Sequence, residues 1–243
     1  MSVKYKKILL KVSGELLSPP DEGDLHPDFL LPLIEEIKSV GSMGVSVAIV
    51  IGGGNFWRGG RGIGKLIDRV VSDKIGMLAT IMNGLALQAV FASHDIKAHL
   101  ETSIAVGSWS SGWNRDRALE NWTPENPLIL AGGTGCPFFT TDTTAALRAV
   151  EIGADCLCKA TKVDGVYSAD PMTDSSAEKL DYLGYNEVLQ KGLEVMDGTA
   201  IALCRDQQIR IAVYNMHEKG NLSKLVEGGD VGTWIGPDKL KGE

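Results

Sequence analysis

Six short apolar runs, set between longer segments of helical period, constrain this chain more than any other feature. They are Lys7–Val12, Val45–Ile51, Ile96–Glu101, Leu128–Ala131, Asp155–Lys159 and Ile209–Tyr214. Several, "KILLKV" and "VSVAIVI" among them, are apolar at nearly every position rather than at alternate ones. A strand of that kind is covered on both faces, as in a mainly parallel sheet flanked by crossover helices. The expected fold is therefore α/β. No repeat or Pro/Ser-rich linker interrupts the 243 residues, so residues 1–243 read as one domain with a continuous sheet. Its N-terminal lobe runs to about residue 150, with a C-terminal lobe from about 151 to 243.

The clearest predicted helix spans Val70 to Phe91. Val71, Ile75, Leu78, Met82 and Leu85 recur at steps of three and four and form one apolar stripe, expected to face the core. Ser72 and Asp73 lie near its start, where an acid suits the positive end of the dipole. A second helix is expected after Asp142, with Ala145, Ala146, Ala149 and Val150 inward. A third covers Asp181–Asp206 with a glycine interruption at Gly192.

Charge and cysteines narrow the partners. A net charge of −7 argues against nucleic acid or an anionic membrane as the main partner, without excluding small anions held by local cations. The Met1–Lys7 start is short and basic and carries no signal-peptide or membrane-spanning pattern. Cys136, Cys156, Cys158 and Cys204 form no CxxC pair and read as buried free thiols in a reducing compartment. The expected location is cytoplasmic.

Glycine-bearing loops follow three predicted strands: Lys11-Val12-Ser13-Gly14, Gly52-Gly53-Gly54-Asn55, and "AGGTGCPFFTTD" at 131–142. In open α/β sheets ligands sit beyond the carboxyl ends of the strands, so the three loops can meet at one crevice. Bare backbone there admits phosphate oxygens to N–H groups and helix N-termini. Two familiar motifs fail. "GGRGIGK" has GxxxxGK spacing, but Leu66 stands where a P-loop needs a hydroxyl, and "GGGNFW" breaks GxGxxG at its last position.

An acidic protein that binds phosphates must place cations at the site, and Lys11 and Arg58 are attached to the first two loops. A lysine inside "ILLKVSG" is poorly explained as a surface charge. It suits electrostatic stabilisation of a phosphoryl group in transfer. Asp142, at a helix N-terminus beside "FFTT", reads either as an N-cap or as an organiser of that lysine, and the second suits the neighbouring hydroxyls better. Of Phe138 and Phe139, one is expected in the core and one as a wall for a base.

"KVSGE", "IGGGNFWRG", "RVVSDKIGMLATIMNGLAL", "GTGCPFFTTDTTAALRAVEIGAD" and "KATKVDGVYSADP" closely resemble the bacterial-type uridylate kinases of the amino acid kinase superfamily. The resemblance runs from about Lys7 to Gly236. It implies a three-layer α/β/α sandwich with a mainly parallel central sheet, the amino acid kinase fold. It also implies transfer of the γ-phosphoryl group of ATP, with Mg2+, to UMP. On it Lys11, Val12, Ser13 and Gly14 would hold ATP phosphates, as would Gly54 and Arg58. Thr161, Lys162, Tyr167 and Asp170 would complete the ATP site. Gly53 would touch UMP, and Asp73 would accept from its ribose hydroxyls. Thr134, Gly135, Cys136, Pro137, Phe138, Phe139, Thr140 and Thr141 would wrap its base and phosphate. Lys11 and Asp142 would be catalytic, and no metal ligand is assigned.

Family members are usually hexamers built from dimers through the N-terminal lobe. They are inhibited by UTP and, in some cases, activated by GTP. Here "SPPDEGDLHPD" replaces the "GFGID"-like segment tied to GTP, keeping only Leu25 and Asp28, and Cys136 stands where Asn is common. The tryptophan-rich segment Trp109–Pro127 matches the family poorly. Two alternatives are weighed. A relative phosphorylating a carboxylate or carbamate would need a cationic acceptor pocket. A silent nucleotide-sensing module would have lost Lys11 or Asp142.

Overall fold

The computed structural model describes residues 2–19, 23–169, 176–193 and 195–238. The chain runs β1 (Lys7–Val12), α1 (Pro27–Ser42), β2 (Ser46–Ile51), α2 (Arg69–Ser93) and β3 (His99–Thr102). It continues through α3 (Arg115–Asn121), β4 (Leu128–Ala131), α4 (Thr141–Ile152) and β5 (Cys156–Thr161). After these come β6 (Val166–Tyr167), β7 (Lys179–Leu180), β8 (Tyr182–Gly184), α5 (Tyr185–Lys191) and α6 (Gly198–Asp206). The chain closes with β9 (Arg210–Asn215), α7 (Asn221–Val226) and β10 (Thr233–Gly236).

Eight strands form one sheet in the order β3-β4-β2-β1-β5-β9-β10-β8, and β6 and β7 make a separate ribbon. The pairings from β3 to β9 are parallel, while β10 lies antiparallel to β9 and parallel to β8. Strand β2 is buried at every position, as its unbroken apolar run requires. Leu10, Val12, Ile49 and Ile51 pack with α1, α2 and α7 on one face. Leu9, Val50 and Leu157 pack with α3, α4, α5 and α6 on the other. The result is the expected three-layer α/β/α sandwich.

Local chemistry sets the ends of the helices that matter for the site. The Asp68 carboxylate caps α2, accepting from the Val70 N–H at 2.9 Å. The Thr140 hydroxyl caps α4, accepting from the Asp142 N–H at 3.0 Å, and Gly153 ends that helix in the left-handed region.

Several expectations shift. Helix α2 begins at Arg69, one residue before the predicted Val70 start, and its first turn carries no acid, so Asp73 stands beyond the turn where the dipole acts most. The stripe read as core-facing is largely outward. Val71, Leu78 and Met82 (53% exposed) face solvent, while Met77, Ile81, Leu87 and Phe91 are buried. The reason is that the buried face of α2 also carries Ser72, Thr80 and Asn83, polar residues that a stripe count rejects. By length and composition α2 could cross a bilayer, but here it lies on the sheet. The segment 181–206 is not one helix: it opens with β8, and α5 stops at Gly192, which is left-handed (φ 62°), before α6 starts at Gly198. Val150 is only partly buried. Cys136 is exposed, unlike the other three thiols. Helices α1, α3 and α7 and strands β6, β7, β8 and β10 add to the predicted elements.

The orientation of α2 is testable with one substitution at two sites. Leu87→Ala is expected to lose about 2–5 kcal/mol of stability, the usual loss when a buried leucine is truncated. Leu78→Ala, measured on the dissociated single chain, should lose less than about 1 kcal/mol. Urea unfolding midpoints at one protein concentration decide it, and equal losses would reverse the assignment of faces.

Candidate active site

Residues Lys11 on β1 and Lys159 on β5 are Cα partners on adjacent parallel strands. Their side chains therefore leave the sheet on the same face at the same depth. Between them lies Asp142, in the first turn of α4. Lys11 Nζ is 2.7 Å from one carboxylate oxygen, and Lys159 Nζ is 3.0 Å from the other. All three are nearly withdrawn from water, with Lys11 only 8% exposed. Burial pushes the Asp142 carboxyl up, but the two ammonium groups outweigh it and hold it below the usual carboxylate range. Burial lowers the Lys159 pKa, with Lys11 adding to the fall and Asp142 opposing it.

Lys159 also donates to the Val195 carbonyl. Nearby Asp197 caps α6, accepting from the Ala200 N–H at 2.9 Å. It also accepts from the hydroxyls of Thr140 and, at 2.8 Å, Thr143. The loop before α6 is thereby fastened to the N-terminus of α4. Neither Lys159 nor Asp197 was singled out from sequence. The signal for Lys159 was present, since a lysine inside "CLCKAT" is as misplaced in a buried strand as Lys11 is in "KILLKV". Asp197 gave none beyond a helix cap.

Two cavities open at the loops that follow β1 and β2. One of about 270 Å³ is lined by Ser13, Gly53, Gly54, Asp73, Phe139 and Thr141, among others. Its floor requires bare backbone: a Cβ on Gly53 would lie 2.8 Å from the Ala79 Cβ and 3.0 Å from the Gly76 carbonyl oxygen. Asp73 enters it already held, accepting from Arg69 Nε at 2.8 and 2.9 Å and from the Phe138 N–H at 2.8 Å. The other cavity, of about 710 Å³, collects Glu15, Gly54, Arg58, Arg61 and Lys162. In it Arg58 pairs with Glu15 and donates to the Gly54 carbonyl at 3.3 Å.

The structure thus brings Lys11, Ser13, Gly53, Gly54, Arg58, Asp73, Phe139, Thr140, Thr141, Asp142 and Lys162 to the triad or the two cavities. Val12 and Gly14 follow Lys11 in the chain but line neither cavity. Thr134, Gly135, Cys136, Pro137 and Phe138 also line neither; the Thr134 hydroxyl bonds to the Cys136 backbone instead. Both phenylalanines are exposed, Phe138 by 64%, so neither is core. Thr161 donates to the carbonyls of Val163 and Tyr214, and the Tyr167 hydroxyl donates to Asp164 at 2.7 Å. Asp170 lies outside the described residues.

Among the described residues no three metal-binding side chains converge. Asp142 is already shared by two lysines, and Mg2+ characteristically takes phosphate oxygens and water with one or two carboxylates at most. The site therefore fits an ion carried in by a nucleotide's phosphates rather than a protein cage.

Residues 6–215 match the model of the amino acid kinase family, and the chain belongs to that family. Among its relatives are uridylate kinases. The one from Legionella pneumophila strain Corby is 47% identical, covering 96% of this chain and 95% of that protein. The one from Limosilactobacillus reuteri is 44% identical over 97% and 99%. Among solved structures, the UMP kinase of Bacillus anthracis superposes with a TM-score of 0.92 at 36% identity, covering 97% of each chain. That of Ureaplasma parvum superposes at 0.87 and 31% identity, covering 96% of this chain and 99% of that one.

Replacing Asp142 by Asn keeps its shape and leaves two cations without their shared anion. We expect kcat to fall about a hundredfold or more, the scale seen when one fixed electrostatic partner is removed. Because its pKa is depressed, ionised Asp142 contributes stability above the unfolded carboxylate pKa that is lost as pH falls through the native value. Melting temperatures from pH 7 down to 3 should therefore fall less steeply in Asp142→Asn than in the wild type. Parallel slopes would contradict the ion triad.

Proposed function

We propose that the chain transfers the γ-phosphoryl group of ATP to UMP, giving UDP and ADP, with the smaller cavity as acceptor site and the larger as part of the donor site. The observation that carries the assignment of roles is the buried Lys11–Asp142–Lys159 ion triad, adjoining in the chain Thr141, which lines the smaller cavity. An anionic oxygen of the UMP phosphate forms the new bond to Pγ as the bond from Pγ to the ADP oxygen breaks, so no general base is needed. Charge spreads over the transferring oxygens, and fixed cations stabilise it. Lys11 supplies such a cation, and Asp142 fixes its ammonium group. Arg58 and Lys162 bring further positive charge from the donor side. Mg2+ bound to the ATP phosphates would neutralise part of their charge.

Asp73 accepts from the ribose hydroxyls, with Arg69 and the Phe138 N–H holding the carboxylate in place. Thr140, Thr141 and the 131–139 loop close around phosphate and base, and the lobe after residue 150 supplies Thr161, Tyr167 and Asp170 to ATP. An acceptor carboxylate would need a cation where this cavity presents Asp73, which disfavours the amino acid substrates of other family members.

The enzyme is cytoplasmic and hexameric on this reading, the outward stripe of Val71, Leu78 and Met82 supplying apolar surface for a subunit contact. UTP, which shares the uridine, inhibits at the acceptor site.

ADP release with ATP is expected for UMP among UMP, CMP, dUMP, AMP, acetylglutamate and aspartate. Activity on a carboxylate without activity on UMP would overturn the assignment. Lys11→Ala should cut kcat strongly while sparing UMP binding, and an unchanged kcat would remove Lys11 from its role. Asp73→Asn should mainly raise KM for UMP. Leu78→Glu should shrink the assembly in light scattering while the protein remains folded.

A further inference from the structure

Arg148 projects from α4, yet it is only 4% exposed. A buried guanidinium is stable only when its charge and N–H groups are satisfied. Its charge meets Glu151, three residues along the helix. Its Cζ lies 4.1 Å from the centre of the Trp113 ring, a cation–π contact. Its second terminal nitrogen donates to the Ser103 hydroxyl at 2.8 Å.

Ser103 has one hydroxyl hydrogen and donates it to the carbonyl of Gly133. The chain of donors therefore runs one way, from Arg148 through Ser103 to the loop that bounds the acceptor cavity. That loop is packed tightly against Ser103. Gly132 is left-handed (φ 82°), and a Cβ on it would lie 2.9 Å from the Ser103 nitrogen. From the other side the Gly132 N–H donates to the Thr80 hydroxyl at 2.7 Å. The loop is thus held between a hydroxyl on α2 and a hydroxyl backed by Arg148.

Trp113 is itself fixed through its neighbours. The Gly112 carbonyl accepts from Arg117, and the Asn114 N–H donates to Glu101 at 3.3 Å. Glu101, 1% exposed, forms a two-pronged pair with Arg117 and is bonded by His99 Nε2 at 2.8 Å. Desolvation pushes the Glu101 carboxyl up, but hydrogen bonds from Arg117 and His99 prevail and keep it ionised. The tryptophan-rich segment is thereby joined to the acceptor loop by one arginine.

We propose that Arg148, stacked on Trp113, is a positioning residue that sets the acceptor loop through Ser103, so that UMP affinity depends on the Trp113 segment. The inference rests on the acceptor assignment made above. Arg148 touches no part of either cavity and acts only through Ser103.

The test is steady-state kinetics with UMP and ATP varied separately, on Arg148→Met, Trp113→Ala, Trp113→Phe and the Arg148→Met/Trp113→Ala double variant. Arg148→Met should raise KM for UMP about tenfold, the loss expected for a charge-assisted hydrogen bond. Its kcat and KM for ATP should stay within about twofold of wild type. Trp113→Ala should shift in the same direction, and Trp113→Phe, which keeps an aromatic face, should restore the wild-type KM. The double variant should be little worse than Arg148→Met, because both act along one path. A merely structural role would instead move kcat and both KM values together, and that pattern or unchanged kinetics would overturn the proposal. Should Arg148→Met fail to fold, the Trp113 pair decides alone, since that ring lies at the edge of the packed cluster. Wild-type turnover of UMP is measured alongside. Its absence would remove the acceptor assignment and this inference with it, whereas its presence with no selective change in KM would remove this inference only.

Discussion

Two lysines in register on neighbouring strands, sharing one carboxylate, are what the rest of the site is arranged around. Neither ammonium group could sit so deep between the sheet and α4 without an anion, and Asp142 could not stay ionised there without both. The sheet supplies the spacing, because the β1–β5 pairing fixes Lys11 opposite Lys159. The third member comes from the N-terminus of α4, where the helix dipole favours a negative charge. The arrangement leaves positive charge directed to the strand ends, where the glycine loops leave room for phosphates. Catalysis by charge placement needs this rigidity, since groups already in position need not reorganise during transfer.

The two halves of the chain meet at the same spot through a second carboxylate. Asp197 caps α6 and at the same time takes the hydroxyls of Thr140 and Thr143 at the head of α4. Lys159 adds its bond to the Val195 carbonyl. Residues from β1, α4, β5 and the loop before α6 are therefore locked into one unit, although Lys11 and Asp197 are far apart in the sequence.

Much of this was legible beforehand, and what was missed has physical causes. The strands were readable because burial on both faces leaves an apolar run that little else produces, and Lys11 stood out against it. Lys159 carries the same mark in "CLCKAT". The orientation of α2 was misread because its inward face serves the site: Ser72, Thr80 and Asn83 are buried by their hydrogen bonds rather than by apolarity. Strand β8 was lost in a helical pattern because three residues are too few to show a period. The links from Arg148 to Ser103 and from Asp197 to Thr140 join positions 45 and 57 residues apart, and no local spacing could reveal them. The broken helix at Gly192 was readable because only a glycine takes that turn easily.

Helix α2 presents two faces with different employments. One supplies Ser72, Asp73 and Thr80 to the smaller cavity; the other carries Val71, Leu78 and Met82, exposed on the single chain. Val71, Ser72 and Asp73 are consecutive, so the outer and inner surfaces are joined by a single peptide step. A helix of 25 residues is a stiff rod about 37 Å long. Any body that settles on its outer side and turns or slides it carries Asp73 along. The Asp73 carboxylate and the helix's outer apolar face are, mechanically, one part.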